Sequence, residues 1–249
     1  EITIEKEKNF GDCELLAEFG VETFTDYPAE KYLLLIMDHG GGWRKSCVDE
    51  TSGGDVIYTP ELTNALAEIS GAIGKPIDVL QWSACRMGNV ETIYEVAPYV
   101  DYYIGSPEVE WTLTFSFLLD SLRLGLNPEI SPEDYSKSVV RSSGIILSGG
   151  YPVAFDTNAI GPVVQSMDEL ALALDVKEHG KEILRAYSRT KRYHSVPETS
   201  EYDVSVFIDI HDFVSELKVR TSDPKIKGIC KDIKNGIEQL IIARPYSPL

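Results

Sequence analysis

Apolar residues fall into short unbroken runs that alternate with stripes at helical spacing. Tyr32 to Met37 (YLLLIM) has strand length and ends in Asp38-His39-Gly40-Gly41-Gly42-Trp43. From about 60 to 70, Leu62, Ala65, Leu66 and Ile69 share a helix face, with Thr59 as cap, Pro60 in the first turn and Gly71 or Gly74 as the stop. Ile77 to Trp82 (IDVLQW) is the next strand and stops at Ser83-Ala84-Cys85. A helix with Val90, Ile93, Tyr94 and Ala97 facing inward ends at Pro98, and a third strand, Asp101 to Ile104, runs into Gly105-Ser106-Pro107-Glu108. Two such strand–helix–strand crossovers make three parallel strands with their carboxyl ends at one edge.

Downstream, Ser131 caps and Pro132 opens a helix through Val140. Tyr151 to Phe155 reads as a short strand, Ile160–Leu174 and Lys177–Arg192 as helices, and Val204 to Ile210 as an apolar, β-branched strand. Pro224 to Ile242 is a helix with Ile226, Ile229, Ile233, Ile237, Leu240 and Ile241 inward. The fold class expected is α/β, a mostly parallel sheet flanked by helices. No repeat or linker divides residues 1–249, which are expected to form a single domain.

Forty acidic residues against 23 basic ones leave a net charge of −17, which repels phosphate backbones and argues against a nucleic-acid partner. The longest apolar runs, six or seven residues, fall short of a membrane span. Glu1 to Phe10 carry no apolar signal core and no initiator Met, as in a mature or excised chain. Four scattered cysteines make neither a disulfide framework nor a CxxC metal site, and no His spacing suits zinc.

In open α/β sheets the ligand site lies beyond the carboxyl ends of the strands, where this layout gathers His39, Cys85 and a loop with Glu108 and Glu110. Cys85, between a strand and a helix, is placed for a lowered thiol pKa, and His39 for proton transfer in the same cleft. The glycines after His39 allow a substrate carbonyl close to the backbone and offer N–H donors to an oxyanion. Cys13, Cys47 and Cys230 read as small buried hydrophobes, and His179, His194 and His211 lie outside this edge. An HGGG loop also serves α/β-hydrolase esterases, but no two glycines stand four apart, so their G-x-S-x-G elbow is absent.

Tyr27–Tyr32, Met37–Trp43, Asp49–Gly54, Ser83–Glu91 and Asp209–Phe213 together resemble the clostripain family of bacterial cysteine peptidases, with similarity from about Phe10 to Leu217. The resemblance implies a caspase-like α/β sandwich, of the clan of caspases, gingipains and legumain, and a secreted, periplasmic or cell-surface cysteine endopeptidase acting on protein or peptide substrates. It implies Cys85 as nucleophile, His39 as general acid/base, and the Gly40 and Cys85 N–H groups as oxyanion hole. Relatives carry Asp two residues before the nucleophile, where it pairs with substrate Arg or Lys; this chain has Ser83. A hydroxyl cannot replace that charge, so preference shifts from basic residues unless Glu108 or Glu110 restores it. Ser83, Glu108, Glu110 and Trp111 are the expected substrate-binding residues.

The resemblance also implies a piece of a longer precursor, whose N-terminal processed fragment is a further expected partner. No cofactor or metal is expected, although some relatives use calcium and Asp49, Glu50 and Asp55 cluster after the His loop; without EF-hand spacing they read as a solvated acidic loop. The competing reading is a catalytically inactive homologue that acts as a surface binding module, motivated by Ser83.

Overall fold

The computed structural model describes residues 7–109, 121–146, 152–193 and 207–245. In chain order come α1 (Cys13–Asp26), β1 (Leu33–Met37), β2 (Lys45–Asp49), β3 (Asp55–Tyr58), α2 (Thr59–Ile73), β4 (Ile77–Ser83), α3 (Val90–Val96) and β5 (Val100–Gly105). There follow α4 (Pro132–Ile146), β6 (Val153–Asp156), α5 (Ile160–Ala173), α6 (Val176–Arg189), α7 (Ile210–Arg220), α8 (Pro224–Leu240) and β7 (Ile241–Ala243).

The main sheet has the order β1-β4-β5-β6-β7. β1, β4 and β5 are parallel, as the apolar runs require, and β6 pairs antiparallel with both β5 and β7. One face buries Leu34, Ile36, Leu80, Trp82 and Tyr103 together with residues of α2, α3, α5 and α8. The other buries Val79, Ile104 and Ala154 against Tyr135, Val139 and Val140 of α4. Leu66, Ile69, Ile77 and Leu80 have no exposed surface, and burying a side chain of this kind contributes about 1.5–3 kcal/mol. The fold is a caspase-like α/β sandwich. Among the described residues no helix is long and apolar enough to cross a membrane.

Several boundaries differ from the sequence expectation. Tyr58, not Thr59, occupies the cap position of α2, with its N–H donating to Glu61 at 2.8 Å. Thr59 instead donates its hydroxyl to the Trp43 carbonyl at 2.6 Å, tying α2 to the loop after β1. Gly74 ends α2 in the left-handed conformation. In α3 it is Val96, not the half-exposed Tyr94, that packs inward beside Ile93. Ser131 caps α4 as expected, in a reciprocal pair with Asp134. The expected strand Val204–Ile210 is not observed where it is described: Asp209 accepts the Asp212 N–H at 3.0 Å and caps α7, so Ile210 begins a helix. Residues 204–206 lie outside the described residues. Cys47 and Cys230 are buried, whereas Cys13, opening α1, is only half-buried.

Helix α1 and the hairpin β2–β3 lie outside the sequence reading, and Ile241, read as part of the last helix, instead opens strand β7. Helix α1, capped by Asp12, buries only Ala17 and Gly20 fully. The antiparallel hairpin β2–β3 grows out of the His39 loop and carries a bulge at Cys47, whose φ is 56°.

Asp49 ends β2 and fastens this hairpin to the segment before α1. Its carboxylate accepts the Thr51 hydroxyl and the N–H groups of Phe10, Thr51 and Ser52 at 2.7–2.9 Å. These donors, the Thr51 hydroxyl first, pull its pKa from 3.8 down to about 2. A carboxyl depressed by folding stabilises the fold above its unfolded pKa and loses that contribution as pH falls. Chemical denaturation should therefore show part of the stability disappearing from about pH 4 towards pH 2. Asp49→Asn should lower stability at pH 7 and flatten that acid slope; an unchanged slope would show that the network contributes nothing.

Candidate active site

The register Met37↔Ser83 sets the ends of β1 and β4 side by side, so the chain leaves both strands at one edge. The Asp38 N–H donates to the Ser83 carbonyl at 3.3 Å and extends the pairing by one step. Beyond this point the two loops diverge from strand geometry and meet again through glycine.

The His39 loop is held by the hairpin. Gly41 N–H donates to Lys45 at 2.8 Å, and Cys47 N–H to the His39 carbonyl at 3.0 Å. These bonds flank the bridge Gly40↔Ser46, a pairing that leaves Gly40's own N–H turned away from the hairpin. The Asp38 carboxylate accepts the His39 N–H and, at 3.4 Å, the Val48 N–H. The His39 side chain is exposed at the end of this brace.

The Cys85 loop is held from the opposite side by the loop after β5. Arg86 N–H donates to the Glu108 carbonyl at 2.9 Å and Gly88 N–H to the Ser106 carbonyl at 2.8 Å. The buried Tyr103 hydroxyl donates to the Met87 carbonyl at 2.6 Å, and the Asn89 amide to the Arg86 carbonyl at 3.0 Å. Asn89 then caps α3. Arg86 sits at φ 59°, a left-handed turn immediately after the half-buried Cys85.

Gly40 joins the two loops. A Cβ built there would stand 2.0 Å from the Cys85 carbonyl oxygen and 2.9 Å from its nitrogen, a distance no side chain tolerates. On the far side, a Cβ on Gly88 would lie 2.7 Å from the Gly105 carbonyl oxygen. The Cys85 loop thus lies between two glycine contacts, with a thiol-bearing loop, an imidazole-bearing loop and backbone N–H groups meeting at one sheet edge. That set can attack a carbonyl, move a proton and stabilise an oxyanion.

The remaining thiols are poor nucleophiles. Burial pushes Cys47 and Cys230 up to about 11 and also raises Cys13, so all three stay protonated near neutrality.

Ser83 is 8% exposed, at the end of β4. Strand alternation puts it on the face of Gln81, whose amide pairs with the Tyr135 hydroxyl at 2.8 Å and with Ser121 at 3.3 Å. Glu108 joins the Cys85 loop through its backbone, while burial first, and then the charges of Asp209 and Glu108, raise the Tyr193 hydroxyl. Glu110 and Trp111 lie outside the described residues. Asp49 and Asp55 direct oxygens to N–H donors, and among the described residues no group of three or more His, Cys, Asp or Glu could hold a metal ion.

Sequence reasoning left His211 and Phe207 out of the site. Both line a cavity of about 530 Å³ that Arg86 and Gly88 also line, so the Asp209–Phe213 segment reaches the back of the Cys85 loop. Its resemblance motif was the one available signal.

The chain was compared with known proteins. It is 28% identical over 144 residues to clostripain from Hathewaya histolytica, spanning 49% of this chain and 26% of that relative. A secreted cysteine protease from Bacteroides thetaiotaomicron, solved with an irreversible peptide inhibitor, has a similar fold at TM-score 0.67 and 18% identity, over 97% of this chain and 65% of that one. An inactive zymogen protease from Parabacteroides distasonis reaches TM-score 0.71 at 18% identity, over 100% of this chain and 65% of that one. This chain therefore spans about a quarter of the curated relative's length and just under two thirds of the length of the two solved chains. The model of the clostripain family matches residues 1–247, and the chain belongs to that family.

Proposed function

We propose that this protein is a cysteine endopeptidase in which Cys85 attacks the scissile carbonyl and His39 moves the proton. The observation that carries this reading is the Gly40–Cys85 contact, which packs the imidazole-bearing loop directly against the thiol-bearing one. In the acylation step the Cys85 sulfur forms a thioester with the substrate carbonyl carbon, and the peptide C–N bond breaks. The amine leaves with a proton from His39. Water then cleaves the thioester, with His39 as base, and releases the acid. The Gly40 and Cys85 N–H groups receive the oxyanion in both steps. An extracellular place of work belongs to the same proposal, since one of the similar folds is a secreted protease.

The reading extends to specificity: the pocket beside Ser83 is neutral, so the residue before the scissile bond is uncharged. Labelling by a peptidyl acyloxymethyl ketone, with the modified residue mapped by mass spectrometry, tests the activity. Covalent attachment at Cys85 supports it; absence of labelling favours the binding module.

Gly40→Ala tests the loop contact. The new methyl must displace the Cys85 carbonyl, so kcat should fall by about 100-fold while the fold persists. Unchanged turnover would show that the close approach is not needed.

A further inference from the structure

We propose that Phe207 is a positioning residue that locks the His39 loop to the Cys85 loop, an inference that rests on the Cys85–His39 reading. Its ring edge sits on Gly42: a Cβ there would lie 2.7 Å from the ring Cζ and 2.8 Å from Cε1. Its face receives the Arg86 guanidinium, 5.9 Å from the ring centroid, at the range of a cation–π contact. The same Cβ position at Gly42 is 3.7 Å from the Arg86 carbonyl oxygen, so the three residues meet at one point. One ring thereby touches the residue three places after His39 and the residue directly after Cys85.

Both partners are left-handed, Gly42 at φ 70° and Arg86 at φ 59°. For a long side chain that conformation persists only where the surroundings enforce it. Glu108 and Asn89 hold the Arg86 backbone, and Phe207 takes its buried guanidinium. The ring's own position is set from elsewhere. Tyr193 N–H donates to the Phe207 carbonyl at 3.4 Å, Asp209 N–H to the Lys191 carbonyl at 3.0 Å, and Arg192 bridges Ile208 between them. The isolated bridge between Arg192 and Ile208, with its two flanking hydrogen bonds, therefore holds Phe207 over both loops.

The test is the pH dependence of Cys85 alkylation by iodoacetamide in the full chain, mapped by mass spectrometry, beside kcat and KM on a peptide substrate. In the unmodified protein, the alkylation rate against pH defines an acid limb for the Cys85 thiolate. Phe207→Leu keeps apolar volume but loses the ring. It should move that acid limb up by about one pH unit and lower kcat by roughly tenfold or more, with KM within about twofold. Phe207→Tyr should restore both. Arg86→Lys keeps the charge and loses the planar stacking, so it should shift the limb in the same direction, and it carries the test if Phe207→Leu does not fold. A folded Phe207→Leu with unmoved limb and kcat would overturn this inference and leave the dyad standing. Failure of Cys85 to be alkylated in the unmodified protein, with no peptide hydrolysis, would overturn both.

Discussion

Cys85→Ala should abolish peptide hydrolysis, with turnover falling by on the order of 10⁴-fold or more, and His39→Ala should do nearly the same. In the proposed mechanism nucleophile and base act as one unit, so removing either leaves only binding and oxyanion stabilisation. The fold should survive the first change, because the Cys85 loop is held through the backbone of Arg86, Met87 and Gly88 and by the Gly40 contact. The unfolding midpoint and the hydrolysis rate, measured on the same preparation, separate the two effects. Replacement by another thiol is the rival outcome, and the structure argues against it: Cys47 and Cys230 are buried, and burial raises all three alternatives. Substantial hydrolysis by Cys85→Ala, with Cys13, Cys47 or Cys230 alkylated instead, would remove the assignment.

What could be read from sequence follows a physical division. β4 is buried on both faces, and β1 and β5 on one face and in part on the other, so they appear as apolar runs whose ends mark the site edge. His39 and Cys85 stand at those ends and could be named without coordinates. The hairpin β2–β3 could not, because its first strand has a bulge at Cys47 in place of clean alternation. Helix α1 was missed because its fully buried stripe is only Ala17 and Gly20. At Ile210 a β-branched run suggested a strand, but the Asp209 cap outweighed propensity.

Within the site the residues that position the chemistry were illegible for a different reason. Tyr103 acts by a hydroxyl on a main-chain carbonyl, Arg86 by a left-handed turn, and Phe207 through tertiary contact; none has a periodicity. The glycines after His39 were read as room for a substrate. Gly40 and Gly42 also make room for Cys85 and Phe207.

Ser83→Asp should raise kcat/KM for Arg substrates sharply, by about 100-fold, because in the proposed specificity it adds a carboxylate where Ser83 offers only a hydroxyl. The face that Ser83 shares holds the Gln81 amide and the Tyr135 hydroxyl, hydrogen-bonded to each other. Burial drives the Tyr135 hydroxyl well above its ordinary pKa, so it stays uncharged. A guanidinium buried there without a partner costs several kcal/mol, whereas an uncharged side chain carries no such penalty. The unmodified enzyme should therefore be weak on Arg substrates in a positional peptide library and prefer neutral residues before the scissile bond. The competing source of charge is acidic. The Glu108 carbonyl accepts the Arg86 N–H, so among the described residues Glu108 stands beside the Cys85 loop as the alternative. If the unmodified enzyme cleaves after Arg or Lys efficiently, the neutral pocket is wrong. Loss of that cleavage in Glu108→Gln or Glu110→Gln would then name the carboxylate responsible.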